Sequence, residues 1–95
     1  IGGLGLAPGA NVGTHAAMFE AGHGSAPDIA GQGIANPTAL LLAAAMMLEH
    51  CSLHDLAATL RRGLAATLAN VATRTRDLGG KLSTQDFARA VIANL

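Results

Sequence analysis

The residues that could do chemistry concentrate in one irregular stretch. From Gly22 to Asn36 the chain reads GHGSAPDIAGQGIAN, fifteen positions with four Gly and one Pro, and it follows neither the helix nor the strand period. It carries one carboxylate, Asp28, directly after Pro27, together with His23, Ser25 and Asn36. A carboxylate can accept hydrogen bonds from both hydroxyls of a vicinal diol, and it would repel a phosphate at the same place. The Asn36 amide offers a donor and an acceptor to the edge of a base, and the His23 ring can stack on a flat heterocycle. Those properties together describe an adenosine pocket. The same residues also suit a structural turn in which Asp28 and Asn36 only cap backbone groups, and spacing alone leaves both readings open. Long irregular segments inside compact domains are functional or disordered, and the apolar flanks argue against disorder.

Other arrangements carry less. Gly3-Leu4-Gly5-Leu6-Ala7-Pro8 begins as GxG but has Pro8 where a dinucleotide fingerprint needs its last Gly, and no helix follows. Gly79-Gly80-Lys81-Leu82 lacks the spacing and the Ser or Thr of a phosphate-binding P-loop. His50 and His54 would share a face of one continuous helix, as paired metal ligands do, but no further ligand stands at a recognisable spacing. Cys51 with His54 as its base lacks an orienting third group. Both are set aside, and Ser52 is expected to cap the next helix instead.

These residues sit in a chain of 95 residues, 51% of them apolar and 13% charged, which excludes disorder driven by low hydrophobicity. Six Lys plus Arg balance six Asp plus Glu, so no charge excess recruits nucleic acid. The single Cys51 excludes an internal disulfide and fits a reducing, cytoplasmic setting. The longest uncharged apolar run, Ala39 to Leu48, has ten residues, and a membrane span needs about 20. An Ala-rich core without Tyr or Trp, in a chain that opens on Ile1, is read as one part of a larger fold.

The elements that must position the loop follow from local signals. Residues 1 to 14, with Gly2, Gly3, Gly5, Gly9 and Gly13 beside Pro8 and Asn11, read as loop. His15 to Ala21 reads as a short buried strand. Asn36-Pro37 starts a helix that runs to His50 and is apolar nearly all round, hence buried on most sides. A second helix from Leu53 to about Val71 carries Leu56, Leu60, Leu64 and Leu68 on one stripe. Thr73 to Gly80 reads as a connection, and Ser83-Thr84-Gln85-Asp86 cap a third helix bearing Phe87, Val91, Ile92 and Leu95.

The stretch MFEAGHGSAPDIAGQGIANPTALLLAAAMML, residues 18 to 48, resembles the signature region of the isocitrate and isopropylmalate dehydrogenase family, the β-decarboxylating dehydrogenases. Gly3 to Gly13 upstream, and Arg74-Thr75 with Asp77 to Gly80 downstream, are similar to that family as well. Pro8-Gly9-Ala10-Asn11 and Asn36 to Leu41 look most like its bacterial NAD-type members that act on isocitrate. The resemblance implies an α/β fold, the C-terminal part of the family's large domain and not a Rossmann fold. Its expected parts are one short strand, a long cofactor loop and three helices, so residues 1 to 95 would be a partial domain.

By the same resemblance, residues 22 to 36 form the adenosine-binding loop for NAD, with His23, Gly24, Ser25, Ala26, Pro27, Asp28, Ile34 and Asn36 as its contacts. Asp28 would take the ribose hydroxyls, His23 and Ile34 would flank the adenine, and Asn36 would meet its edge. NADP-using members carry a basic residue at the place of Asp28, so the acid implies NAD. The implied reaction is metal-requiring oxidative decarboxylation of isocitrate to 2-oxoglutarate and CO2, with Mg or Mn bound by ligands outside this segment. Isopropylmalate or a related 2-hydroxy diacid is the alternative substrate, and a noncatalytic fragment that binds nucleotide or packs on a partner is the alternative of another class. The family's catalytic motifs are not among residues 1 to 95, so the segment alone is expected to be inactive. A homodimer is implied, and no nucleic-acid or membrane partner. Gly22 replaces a bulky apolar residue of the family and is expected to cost packing beneath the loop.

Overall fold

The computed structural model describes residues 6–95, so the loop expected over residues 1 to 5 lies outside the described residues. The first described element is a strand. β1 (Pro8–Val12) pairs antiparallel with β2 (Ala17–Ala21), in a register running from Pro8 opposite Ala21 to Val12 opposite Ala17. The expected loop over residues 8 to 12 is therefore corrected. Cross-strand hydrogen bonding outweighs the weak local propensity of Pro and Gly, and a two-stranded ribbon tolerates Pro because both strands are edges.

The expected strand from His15 begins two positions later, because His15 and Ala16 belong to the turn that Gly13 N closes onto Ala16 O at 2.8 Å. It is also not buried on both faces. Ala17, Phe19 and Ala21 are half-buried and alternate with exposed Met18 and Glu20, as expected of a ribbon covered on one side.

α1 (Thr38–His50) forms where expected. Asn36 Oδ1 accepts from Thr38 N at 3.0 Å, so Asn36 caps the helix even though Pro37 is its formal boundary residue. Its small side chains do the close packing: Ala39, Ala43 and Ala45 are buried where α1 lies between the ribbon and α2. Burial all round is not seen among the described residues, since Leu40 is 59% exposed and Met47 45%. The Phe19 and His50 rings, 5.6 Å apart, join β2 to the end of α1.

The turn into α2 (His54–Ala69) corrects the role expected of Ser52. Ser52 has φ 62°, its N–H donates to Glu49 O, and the next N–H, of Leu53, reaches back to Leu48 O at 2.8 Å. That pair of bonds terminates α1 in the manner usually assigned to glycine, so Ser52 ends one helix and does not cap the next. Because the chain breaks helix here, His50 and His54 lie on different helices, and Cys51 is exposed.

The core is Leu64 on α2 with Phe87 and Val91 on α3 (Thr84–Ala93), and Leu41, Leu42, Leu60, Leu68 and Leu82 pack against it. Leu56, expected on the same stripe, is 58% exposed. Residues four apart drift by about 40° per step on a helix of 3.6 residues per turn, so a stripe of four leucines cannot all face one core. Ala57 and Thr67 take part of the buried face instead. Ser83 Oγ accepts from Asp86 N at 3.1 Å and caps α3 as expected.

Between α2 and α3 the chain folds back on itself in two short 3-10 turns, Val71–Thr73 and Arg76–Leu78. Arg74 Nε donates to Leu68 O at 2.7 Å, and Thr73 Oγ1 to Thr67 O at 2.6 Å, which pins the connection to the end of α2. Gly80 passes so close to the Arg74 carbonyl that a Cβ there would overlap it. Gly80 therefore serves a backbone crossing, while Gly79, at φ 83°, ends the second 3-10 turn. Glu49 and Arg61 clamp α1 to α2 through two hydrogen bonds, at 2.9 and 3.0 Å.

Candidate functional site

The loop after β2 enters by a close crossing. Gly22 N donates to Ala7 O at 2.7 Å, and a Cβ on Gly22 would itself lie 2.7 Å from that oxygen. In this backbone no side chain fits at position 22. The expectation that Gly22 costs packing is corrected: the missing side chain lets the loop cross residue 7 directly.

Beyond it the backbone is held in uncommon conformations. Ala26 has φ 45° and ψ 63°, left-handed for a residue with a side chain, a strain that persists only where surrounding structure imposes it. Pro27–Ile29 form a single 3-10 turn, closed by Ile29 N to Ala26 O and Ala30 N to Pro27 O. Gln32 then ties the turn down, its side chain donating to Asp28 O at 3.0 Å.

This backbone walls a cavity of about 640 Å³, within the range of about 300–1,000 Å³ usual for small-ligand pockets. Of the residues expected to contact adenosine, His23, Gly24, Ser25, Ala26, Ile34 and Asn36 line it. Pro27 and Asp28 do not. They sit on the 3-10 turn between two lining residues, Ala26 and Ile29, and Asp28 is exposed. Among the described residues, the Asp28 carboxylate takes no hydrogen bond; only its backbone carbonyl accepts one, from Gln32.

Asn36 behaves differently. It is 8% exposed, and its Oδ1 accepts from both Thr38 N and Thr38 Oγ1, at 3.0 and 2.5 Å. Its Nδ2 donates to Asp77 Oδ2 at 3.0 Å. The amide oxygen is thus occupied within the chain, and one N–H is left for a ligand. The two structural alternatives therefore divide between the residues: Asn36 caps backbone and Asp28 does not.

Two lining residues come from far along the chain. Arg76 and Asp77, on the second 3-10 turn between α2 and α3, complete the wall opposite the loop. Sequence reasoning assigned neither a site role. The signal available was Thr75-Arg76-Asp77, where a Thr two residues before an Asp can bond its carboxylate; Thr75 Oγ1 does so at 2.5 Å. α3 also grips the loop, Thr84 N donating to Gly33 O at 2.9 Å and Thr84 Oγ1 to Ala35 O at 2.5 Å.

The walls are apolar at Ile29, Ala30, Ile34 and Ala35, and polar at Asn36, Arg76 and Asp77. An apolar slot with a few convergent polar groups suits a flat heterocycle bearing hydroxyls, so the residues present fit the adenosine end of a dinucleotide. A metal is another matter. Among the described residues no group of three or more His, Cys, Asp or Glu could hold a metal ion, so no step involving a metal is derived from them. Among those residues, too, no helix is long and apolar enough to cross a membrane.

Comparison with known proteins gives a consistent result. The family model described as isocitrate/isopropylmalate dehydrogenase matches residues 1–91. The chain is 53% identical to the mitochondrial isocitrate dehydrogenase [NAD] subunit 2 of Schizosaccharomyces pombe, covering 100% of this chain and 25% of that protein. It is 50% identical to the isocitrate/homoisocitrate dehydrogenase of Thermus thermophilus, covering 100% of this chain and 28% of the relative. Among solved structures, isocitrate dehydrogenase from Methylococcus capsulatus superposes with a TM-score of 0.94 at 48% identity, over 98% of this chain and 28% of that one. The chain thus spans about a quarter of the length of these relatives.

Proposed function

Because this chain belongs to the isocitrate/isopropylmalate dehydrogenase family, we propose that it supplies the adenosine end of the dinucleotide site in an NAD-dependent, metal-requiring oxidative decarboxylase. The substrate in this reading is a 2-hydroxy diacid, with isocitrate first. The observation that carries it is the cavity of about 640 Å³ between the loop and the Arg76–Leu78 turn, lined by Ala26 and Ile29 on either side of the exposed Pro27-Asp28 pair.

Each residue of the segment has a definable task. Ile29 and Ile34 give the adenine an apolar slot that excludes water, and His23 stacks on it. Asp28 accepts from the ribose hydroxyls, and its charge disfavours a phosphate on the same ribose, which selects NAD over NADP. Asn36 offers one N–H to the base edge. When bound, the dinucleotide supplies the hydride acceptor at its other end; the groups that hold substrate and Mg or Mn belong, in this proposal, to the rest of the polypeptide. The segment by itself is accordingly inactive, and the homodimer implied by the resemblance is a property of the whole protein.

The name of the Thermus thermophilus relative favours a second reading, in which homoisocitrate is accepted as well. The test is NADH formation by the full-length protein with isocitrate, homoisocitrate or isopropylmalate, in the presence of Mg or Mn. Isocitrate is expected to be turned over with the highest kcat/KM. Turnover of isopropylmalate alone would reassign the substrate, and no NADH with any of the three would remove the dehydrogenase reading.

A further inference from the structure

We propose that Asp77 is a positioning residue of the adenosine site, acting through Asn36 to fix which end of its amide meets the base. The inference rests on the nucleotide-binding reading above. The Asn36 amide has two orientations related by a flip about its last torsion. In the observed one, Oδ1 receives the N–H and hydroxyl of Thr38, and Nδ2 donates to Asp77 Oδ2 at 3.0 Å. The flipped amide would set Nδ2 against the Thr38 N–H and Oδ1 against a carboxylate oxygen, two repulsive contacts. Of these partners Asp77 alone carries a charge, and hydrogen bonds to an ionised acceptor are roughly twice as strong as neutral ones.

Asp77 is in turn held from behind. Its other oxygen accepts from Thr75 Oγ1, and Thr75 is fully buried. A chain of bonds therefore runs from the buried Thr75 through Asp77 to Asn36, its second link joining positions 41 residues apart. With Oδ1 doubly occupied and one Nδ2 hydrogen used, the side chain has a single group left, an N–H donor. A base is then read through an acceptor nitrogen on its edge, as adenine provides.

The test uses the full-length protein and a double-mutant cycle on NAD affinity and steady-state kinetics. Asp77→Ala is expected to raise the Kd and KM for NAD about tenfold, the loss of one charge-assisted hydrogen bond, with kcat and the KM for the acid substrate unchanged. Asp77→Asn should recover most of the loss, since its oxygen still accepts from Asn36 and its amide can donate to Thr75 Oγ1. In an Asn36→Ala background, Asp77→Ala should add little, because its effect passes through the removed amide. If Asp77→Ala does not fold, Thr75→Val, which keeps the shape and removes the hydroxyl, should raise the KM for NAD in the same direction. An equal effect of Asp77→Ala with and without Asn36, or no rescue by Asp77→Asn, would overturn the positioning role while leaving the nucleotide site in place. Failure of the wild-type protein to bind NAD would instead overturn the nucleotide reading and this inference with it.

Discussion

Thr84 Oγ1 donates to the carbonyl of Ala35 at 2.5 Å, so the first turn of α3 holds the floor of the cavity. The hydroxyl and the cavity wall are 49 positions apart in sequence. The backbone N–H of the same residue reaches Gly33 O at 2.9 Å, and together the two bonds fix both ends of the Gly33–Ala35 segment around Ile34. Thr84→Val keeps the shape and the N–H but leaves the Ala35 carbonyl without this donor. In the full-length protein it should lower stability by about 0.5–1 kcal/mol, since water can reach the exposed Ala35 carbonyl, and raise the Kd for NAD. Denaturant unfolding and calorimetric titration check both; unchanged NAD affinity would mean that the loop keeps its shape without α3.

At Gly22 the expected direction is the reverse of what the family's bulky residue suggests. A side chain there meets Ala7 O at 2.7 Å, so Gly22→Val must break the Gly22–Ala7 hydrogen bond or move the strand. A loss of about 1–3 kcal/mol in unfolding free energy follows from such overpacking. A rise in melting temperature would show that the backbone readily makes room and that glycine does leave a packing gap.

The Glu49–Arg61 pair gives the fold a pH signature. The hydrogen bond from Arg61 holds the Glu49 carboxyl below its usual value of 4.5, and the same contact pushes the Arg61 guanidinium further up. For a lowered carboxyl the stabilisation is present above pH 4.5 and is lost as pH falls through the native value. The arginine side stays charged at any pH used in practice. Wild type and Glu49→Gln should therefore differ in melting temperature at neutral pH and converge in acid. The difference should be small and should shrink with salt, because both side chains are near 40% exposed. A gap that persists at pH 3 would assign it to packing.

Much of this was readable from the sequence, and the misses share a cause. Asn36-Pro37 announced α1, Ser83 to Asp86 announced α3, and the HGSAPDIAG motif located the cavity wall, because caps and loop chemistry act between near neighbours. β1 was not readable, since Pro8 and Gly9 become strand only through pairing with Ala21 and Glu20. Ser52 looked like a cap for α2 and ends α1 instead, a choice made by two hydrogen bonds back to Leu48 and Glu49. Arg76 and Asp77 were invisible as site residues, because their place in the wall depends on how α2 and α3 bring the connection back to the loop. Local chemistry is written locally, and the opposite wall is supplied by tertiary packing.

The central claim is that Asp28 meets the ribose of an NAD molecule seated in this cavity. The measurement that addresses it most directly is the ratio of kcat/KM for NAD to that for NADP in the full-length protein, for wild type and Asp28→Lys. Wild type should favour NAD by at least about tenfold, the scale of one unfavourable charge contact, and Asp28→Lys should shrink or invert the preference, chiefly through KM. A wild-type preference for NADP, or a preference for NAD that Asp28→Lys leaves unchanged, would contradict the account.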